Sequence, residues 1–146
     1  MQATKKQNTV RIIIGFFFIF TGTGHLSFQR EAFLAQVPKW LPLAPDTVVL
    51  LSGGVEIFLG IGLVFFHQQR AFFGWLVAIF LVAVFPGNIA QLMNHKDAFG
   101  LNSELLRWLR LPFQPLLIIL VLWSSGAWAK WRNKKKINNQ LYIFTQ

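Results

Sequence analysis

A glutamate in the middle of an oily stretch is the first residue here that could do chemistry. The sequence "LSGGVEIFLG", residues 50–59, lies inside an apolar run from 47 to 66. A carboxylate at the centre of a membrane span costs about 2.5–3.5 kcal/mol even on lenient scales, so Glu56 needs a partner, a proton or a task. Counted from residue 47 it lies ~14 Å deep, near mid-bilayer. Ser52 and Gly60 stand four residues either side of Glu56 and share its helix face. A small–polar–small stripe of this kind suits close approach by another helix.

Other polar residues fall at matching depths. His25 closes the first apolar run. Asn88 follows Pro86 in "VFPGNIAQ", with Gln91 about one turn on. Arg110 and Gln114 open the fourth run in "RLPFQP". The expected cluster is therefore His25, Ser52, Glu56, Asn88, Gln91, Arg110 and Gln114, gathered in one half of a bundle. Polar groups inside a span face the interior and mark a site or pathway. The blander reading makes Glu56, Asn88 and Gln114 interhelical hydrogen-bonders, His25 an interfacial histidine bonded to a loop, and Arg110 a snorkelling cation.

The elements that must position these groups are four apolar stretches, at 10–26, 47–66, 71–93 and 111–131. They hold 17, 20, 23 and 21 residues, the length of a membrane-spanning helix. Their continuity excludes the alternating pattern of a β-barrel. Charged residues make up 13% of the chain, about half the usual share, too few to wet a soluble bundle of this size. The expected fold is all-α: a four-transmembrane-helix bundle over 1–131, followed by a basic tail over 132–146. Lys5, Lys6 and Arg11 precede a run ending in Thr-Gly-Thr-Gly, which looks like a signal peptide. No A-x-A site follows, so the run is read as a span.

Basic residues give the orientation. Nine of the fourteen lysines and arginines fall in the N-terminal segment, the second loop and the C-terminal tail. The other five, Arg30, Lys39, Lys96, Arg107 and Arg110, fall in the first and third loops. The positive-inside rule then puts both termini in the cytoplasm. The tail "KWRNKKK" anchors that topology and attracts anionic lipid. The proline-stiffened loop "VPKWLPLAPD" leads to a further expectation, that Trp40 closes over the polar cavity as a lid or anchors at the interface.

Some chemistries are excluded. With no cysteine in the chain there is no disulfide, thiol relay or thiolate ligation. A metal or haem site is not expected, because His67 and His95 lie on opposite sides and one histidine plus one glutamate do not make a site. No nucleophile motif, phosphate loop or nucleic-acid motif is present.

Four segments, "GHLSFQREAFLAQVPKWLP", "LSGGVEIFLGIGL", "VFPGNIAQ" and "LRLPFQPLL", together resemble the DoxX-like family of bacterial membrane proteins in order and spacing. The resemblance covers about residues 10–128. It implies a four-helix protein of the bacterial inner membrane, and characteristic polar positions at His25, Glu56, Asn88, Arg110 and Gln114. It also implies association with redox complexes, since the family is named for a subunit of a thiosulfate:quinone oxidoreductase.

The leading expectation is a small membrane subunit that binds a lipophilic redox partner such as a quinone near Glu56 and His25. It would not be an enzyme alone but an accessory to a quinone-linked oxidoreductase, with the bilayer, oxidoreductase subunits or further copies of itself as partners. No cofactor is encoded in the chain, and no nucleic acid is expected. The alternatives are a non-enzymatic scaffold of a membrane complex, a small carrier for an apolar solute that would need a dimer, and, more remotely, a lipid isomerase using Glu56 and His25 as acid and base.

Overall fold

The computed structural model describes residues 3–93 and 104–144, and helix is the only regular structure among them. The elements are α1 (Lys5–Leu26), the short α2 (Arg30–Leu34), α3 (Pro45–Phe65), a 3-10 turn at His67–Gln69, α4 (Arg70–Met93), α5 (Glu104–Ser124) and α6 (Ala127–Phe144).

Local chemistry sets several boundaries. Thr4 and Gln7 form a capping box, with the Gln7 amide donating to Thr4 Oγ1 at 3.2 Å and the Thr4 amide to Gln7 Oε1 at 3.0 Å. The first helix therefore starts at Lys5, one turn and more before the apolar run. Pro45, whose fixed φ suits a first helical residue, opens α3. By length and composition, Lys5–Leu26, Pro45–Phe65 and His67–Met93 can each cross a membrane.

The helices run up and down. The start of α1 meets the end of α3 where Arg11 Nη1 donates to the Val64 carbonyl at 3.3 Å, and the end of α5 where Gln7 Nε2 donates to the Trp123 carbonyl at 2.9 Å. The end of α1 meets the start of α3, where His25 approaches the Val49 carbonyl. The core, Ile14, Phe18, Leu59, Leu63, Phe73, Val77, Ala78, Leu81 and Val121, runs between α1, α3, α4 and α5. Ile13, Phe16, Phe20, Phe58, Phe65, Phe72, Ile79 and Val82 point outwards, an apolar belt suited to lipid.

The closest helix pair is α1 with α3, and glycine is the cause. A Cβ built on Gly60 would stand 2.6 Å from the Gly15 carbonyl oxygen, and one on Gly53 would stand 3.0 Å from that of Gly22. The stripe of Ser52, Glu56 and Gly60 lies on this contact face, which brings the glutamate against α1.

The fourth expected span, 111–131, is not one straight helix. The chain bends by 68° between Leu111–Ser124 and Ala127–Lys135. Gly126, with φ of 71°, ends α5 in the left-handed conformation, and its amide donates back to the Trp123 carbonyl at 3.2 Å. Ser125 Oγ accepts the Ala127 amide at 3.3 Å and starts α6. The bent pair counts as a fourth span only if the two pieces are taken together. The upstream end is also extended. Pro112, which the apolar run from 111 would make a benign first-turn proline, and Pro115, which it would make a shaper of the helix entry, both lie inside α5, with Pro112 nine residues in. They leave the carbonyls of Trp108 and Leu111 without their helical donors. The basic tail continues as helix α6 to Phe144.

Candidate functional site

His25 and Glu56 face each other across the α1–α3 contact. His25 Nε2 lies 3.6 Å from Glu56 Oε1, with the two side chains 8% and 13% exposed. That is ion-pair reach, longer than a hydrogen bond. The other carboxylate oxygen, Oε2, accepts a hydrogen bond from Thr21 Oγ1 at 2.7 Å. Thr21 precedes His25 by four residues on α1, so both point at α3 from one face.

The far edge of the imidazole is held as well. Ser52 Oγ lies 3.0 Å from His25 Nδ1 and donates to the Val49 carbonyl at 2.9 Å. With its one proton used there, Ser52 accepts from Nδ1–H, which leaves Nε2 turned to Glu56. The ring of Phe33 on α2 stacks on His25 with centroids 3.3 Å apart. A carboxyl and an imidazole are thus held edge to edge, able to share or pass one proton.

A second polar pair stands on the opposite wall. Asn88 Nδ2 of α4 donates to Gln114 Oε1 of α5, and Gln114 Nε2 donates to the Leu81 carbonyl. Leu81 precedes Val82, whose carbonyl loses its helical donor at Pro86. Gln36, in the loop after α2, donates from Nε2 to Gln91 Oε1 at 3.2 Å.

The two pairs share one cavity of about 350 Å³. Thr21, His25, Gln36, Glu56, Asn88 and Gln114 line it together with Phe17, Phe20, Phe113 and Leu117. Phe17, Phe20 and Phe113 are exposed on its outer side. A smaller, more apolar cavity of about 150 Å³ lies beside it, with His25 and Phe33 in the shared wall. Trp40, Ser52, Pro86 and Gly87 line this smaller space.

Of the residues expected from sequence, His25, Glu56, Asn88 and Gln114 therefore line one cavity. Ser52 and Trp40 line its neighbour, and Trp40 is 70% exposed. Gln91, 2% exposed, accepts a hydrogen bond from Gln36, which lines the larger cavity. Arg110 lies on α5, but its side chain is outside the described residues. Thr21, Phe33 and Gln36 were not expected. The four-residue spacing of Thr21 from His25 was the available signal.

The loop that carries Trp40 is tied at its base. Arg30 Nε donates to Asp46 Oδ1 at 2.7 Å, and Nη2 donates to Oδ2. This hydrogen bonding raises the Arg30 pKa above its ordinary value. Among the described residues, no three His, Asp or Glu side chains stand close enough to hold a metal.

Fold and site define the class: a helical protein with three apolar helices able to cross a membrane, four if the bent pair is one span, around an interior polar cavity. A family model matches residues 14–125, so the chain belongs to the family described as Domain of unknown function (DUF8561). No curated protein and no solved structure matches the chain in the same comparisons.

Proposed function

We propose that this chain is a small subunit of a bacterial inner membrane that binds a lipophilic molecule with a hydrogen-bonding head, of which a quinone is the leading candidate. The observation that carries the reading is the pairing of Glu56 with His25 inside a cavity whose outer side is exposed phenylalanine. A ring-shaped head fits a space of about 350 Å³, within the ordinary range of small-molecule sites. The Glu56–His25 pair would give or take a proton at the head-group oxygen, and the Asn88–Gln114 amides would orient the ring. The electrons would come from a partner protein. The resemblance of four motifs to DoxX-like proteins supports a redox setting, and the excess of basic residues at one end supports cytoplasmic termini.

The test is equilibrium binding of a short-chain benzoquinone to the detergent-solubilised chain. Saturable binding that weakens in Glu56→Gln and in His25→Ala supports the proposal; equal binding in all three contradicts it.

One observation favours a second reading. Asn88 is hydrogen-bonded to Gln114, and Gln36 to Gln91, which suits a scaffold whose polar groups serve packing. A scaffold would co-purify with a defined protein partner and without a ligand.

A further inference from the structure

The chain leaves the bundle at a corner. α5 has 21 residues, so it is about 31 Å long and covers the hydrocarbon core by itself. At its end the axis turns by 68° into α6. The corner is tightly packed, with Ser124, Ser125 and Ala127 fully buried. A Cβ built on Gly74, in the second turn of α4, would stand 2.6 Å from Ser125 Cβ. Gln7, in the first turn of α1, donates to the Trp123 carbonyl at 2.9 Å. The corner is therefore level with the starts of α1 and α4, where Lys5, Lys6 and Arg70 stand. Beyond it, α6 turns most of the way into the plane of a membrane that α5 would cross.

This helix combines rings and charge. Lys130, Arg132, Lys134, Lys135 and Lys136 put five basic residues into seven, and the sequence has no Asp or Glu after Glu104. Trp128 and Trp131 are 46% and 52% exposed. Trp128, Trp131 and Lys135 follow one another at steps of three and four residues, so they share a face. Lys135 Nζ lies 5.6 Å from the centre of the Trp131 ring. Indole rings settle in the head-group layer, which suits both the apolar ring and its N–H. A lysine beside them keeps its stem on the ring and its charge outside. The apolar face is narrow, so the rings alone would hold the helix weakly and the charges must supply most of the attraction. Five cations delivered at the height of a membrane surface are complementary to anionic lipid.

We propose that α6 is a surface helix that docks along an anionic lipid leaflet, with Trp128 and Trp131 in the head-group layer and its basic side chains against the lipid phosphates. An unbroken span over 111–131 would hold both tryptophans within the membrane crossing; the corner at Gly126 takes them out of it. The inference depends neither on the His25–Glu56 cavity nor on its ligand.

The test is amide hydrogen exchange of the full chain in lipid nanodiscs, made either of phosphatidylcholine alone or with one-third phosphatidylglycerol. Residues 127–144 are expected to exchange about ten-fold more slowly, or slower still, on the anionic discs, since each basic residue adds to the attraction. High salt is expected to abolish the difference by screening the charges. The combined variant Lys130→Gln, Arg132→Gln, Lys134→Gln and Lys135→Gln is expected to abolish it too, with exchange in α1 and α3 unchanged. Should that variant fold poorly, the salt dependence of the wild type decides. Equal exchange on the two kinds of disc overturns the proposal, as does slow exchange that ignores lipid charge and salt, which would mean that the helix is held by protein or lies within the span. Protection found only in native membrane extracts, and on neither disc, assigns α6 to an acidic protein partner and overturns it as well.

Discussion

His25 stands between Ser52 and Glu56, 3.0 Å from Ser52 Oγ through Nδ1 and 3.6 Å from Glu56 Oε1 through Nε2. The ring is therefore flanked by α3 at both edges and bonded to it at Nδ1, although it belongs to α1. Thr21 completes the arrangement by donating to the free side of the carboxylate. Thr21→Val keeps the side-chain shape and removes that donor. Its expected cost is about 1–2 kcal/mol of stability, the usual penalty for a lost bond to a shielded acceptor. Unfolding in mixed micelles measures it, and an unchanged midpoint would show that Thr21 does not support Glu56.

The contact of α1 with α3 makes a sharper prediction. Gly60→Ala would press a methyl against the Gly15 carbonyl oxygen and the Ile19 amide nitrogen, at 2.6 and 2.9 Å. Backbone cannot give way as a side chain can, so the helices must part, at a cost of about 1–3 kcal/mol. Gly54→Ala meets nothing within 4 Å and is the matched control. It is expected to be neutral or slightly stabilising, since alanine is the better helix former. Similar losses in both variants would mean that α1 and α3 do not approach as described.

The amide pair on the other wall separates packing from ligand contact. Asn88→Leu leaves Gln114 with the Leu81 carbonyl but without its acceptor role, and is expected to cost about 1–2 kcal/mol. Replacing both residues by leucine removes donor and acceptor together and is expected to recover most of that loss. If the double variant recovers stability but no longer binds quinone, the amides serve the ligand. If it recovers stability and binds as before, they are packing alone.

Much of this arrangement is legible in the sequence because burial, length and spacing are read directly. The three helices that carry the apolar runs 10–26, 47–66 and 71–93 stand out through long, mainly apolar sequence, and Glu56 with Ser52 and Gly60 follows from helical periodicity. The break at 124–126 was hidden because Ser-Ser-Gly is compatible with a membrane helix. Only the left-handed φ of Gly126 turns it into a stop. Pro112 falls inside the helix because α5 begins eight residues before it, in a segment where Glu104, Arg107 and Arg110 break up the apolar residues and shorten the run read from hydropathy. Thr21 and Arg11 were missed as partners because both contacts depend on helix rotation: Thr21 meets Glu56 across 35 residues, and Arg11 meets Val64 across 53.

The Arg30–Asp46 pair makes a prediction about the loop that bears Trp40. Arg30 holds its proton more tightly when folded, so what its raised pKa contributes is present at neutral pH and is lost on the alkaline side only as strong alkali deprotonates it. Asp46→Asn removes the anchor at any working pH. Both groups are well exposed, so global stability should barely change. Faster hydrogen exchange in residues 35–44 is the expected signature, and unchanged exchange would show that the loop is held by other contacts.

The central claim is that the cavity at Glu56 and His25 holds a lipophilic ligand. Mass spectrometry of the chain extracted gently from its own membrane, wild type beside Glu56→Gln, tests it most directly. The account predicts a stoichiometric quinone or related lipid in the wild type and its loss in the variant. An empty wild type, with the same protein partner retained by both, would contradict it and make Glu56 a packing residue in a scaffold.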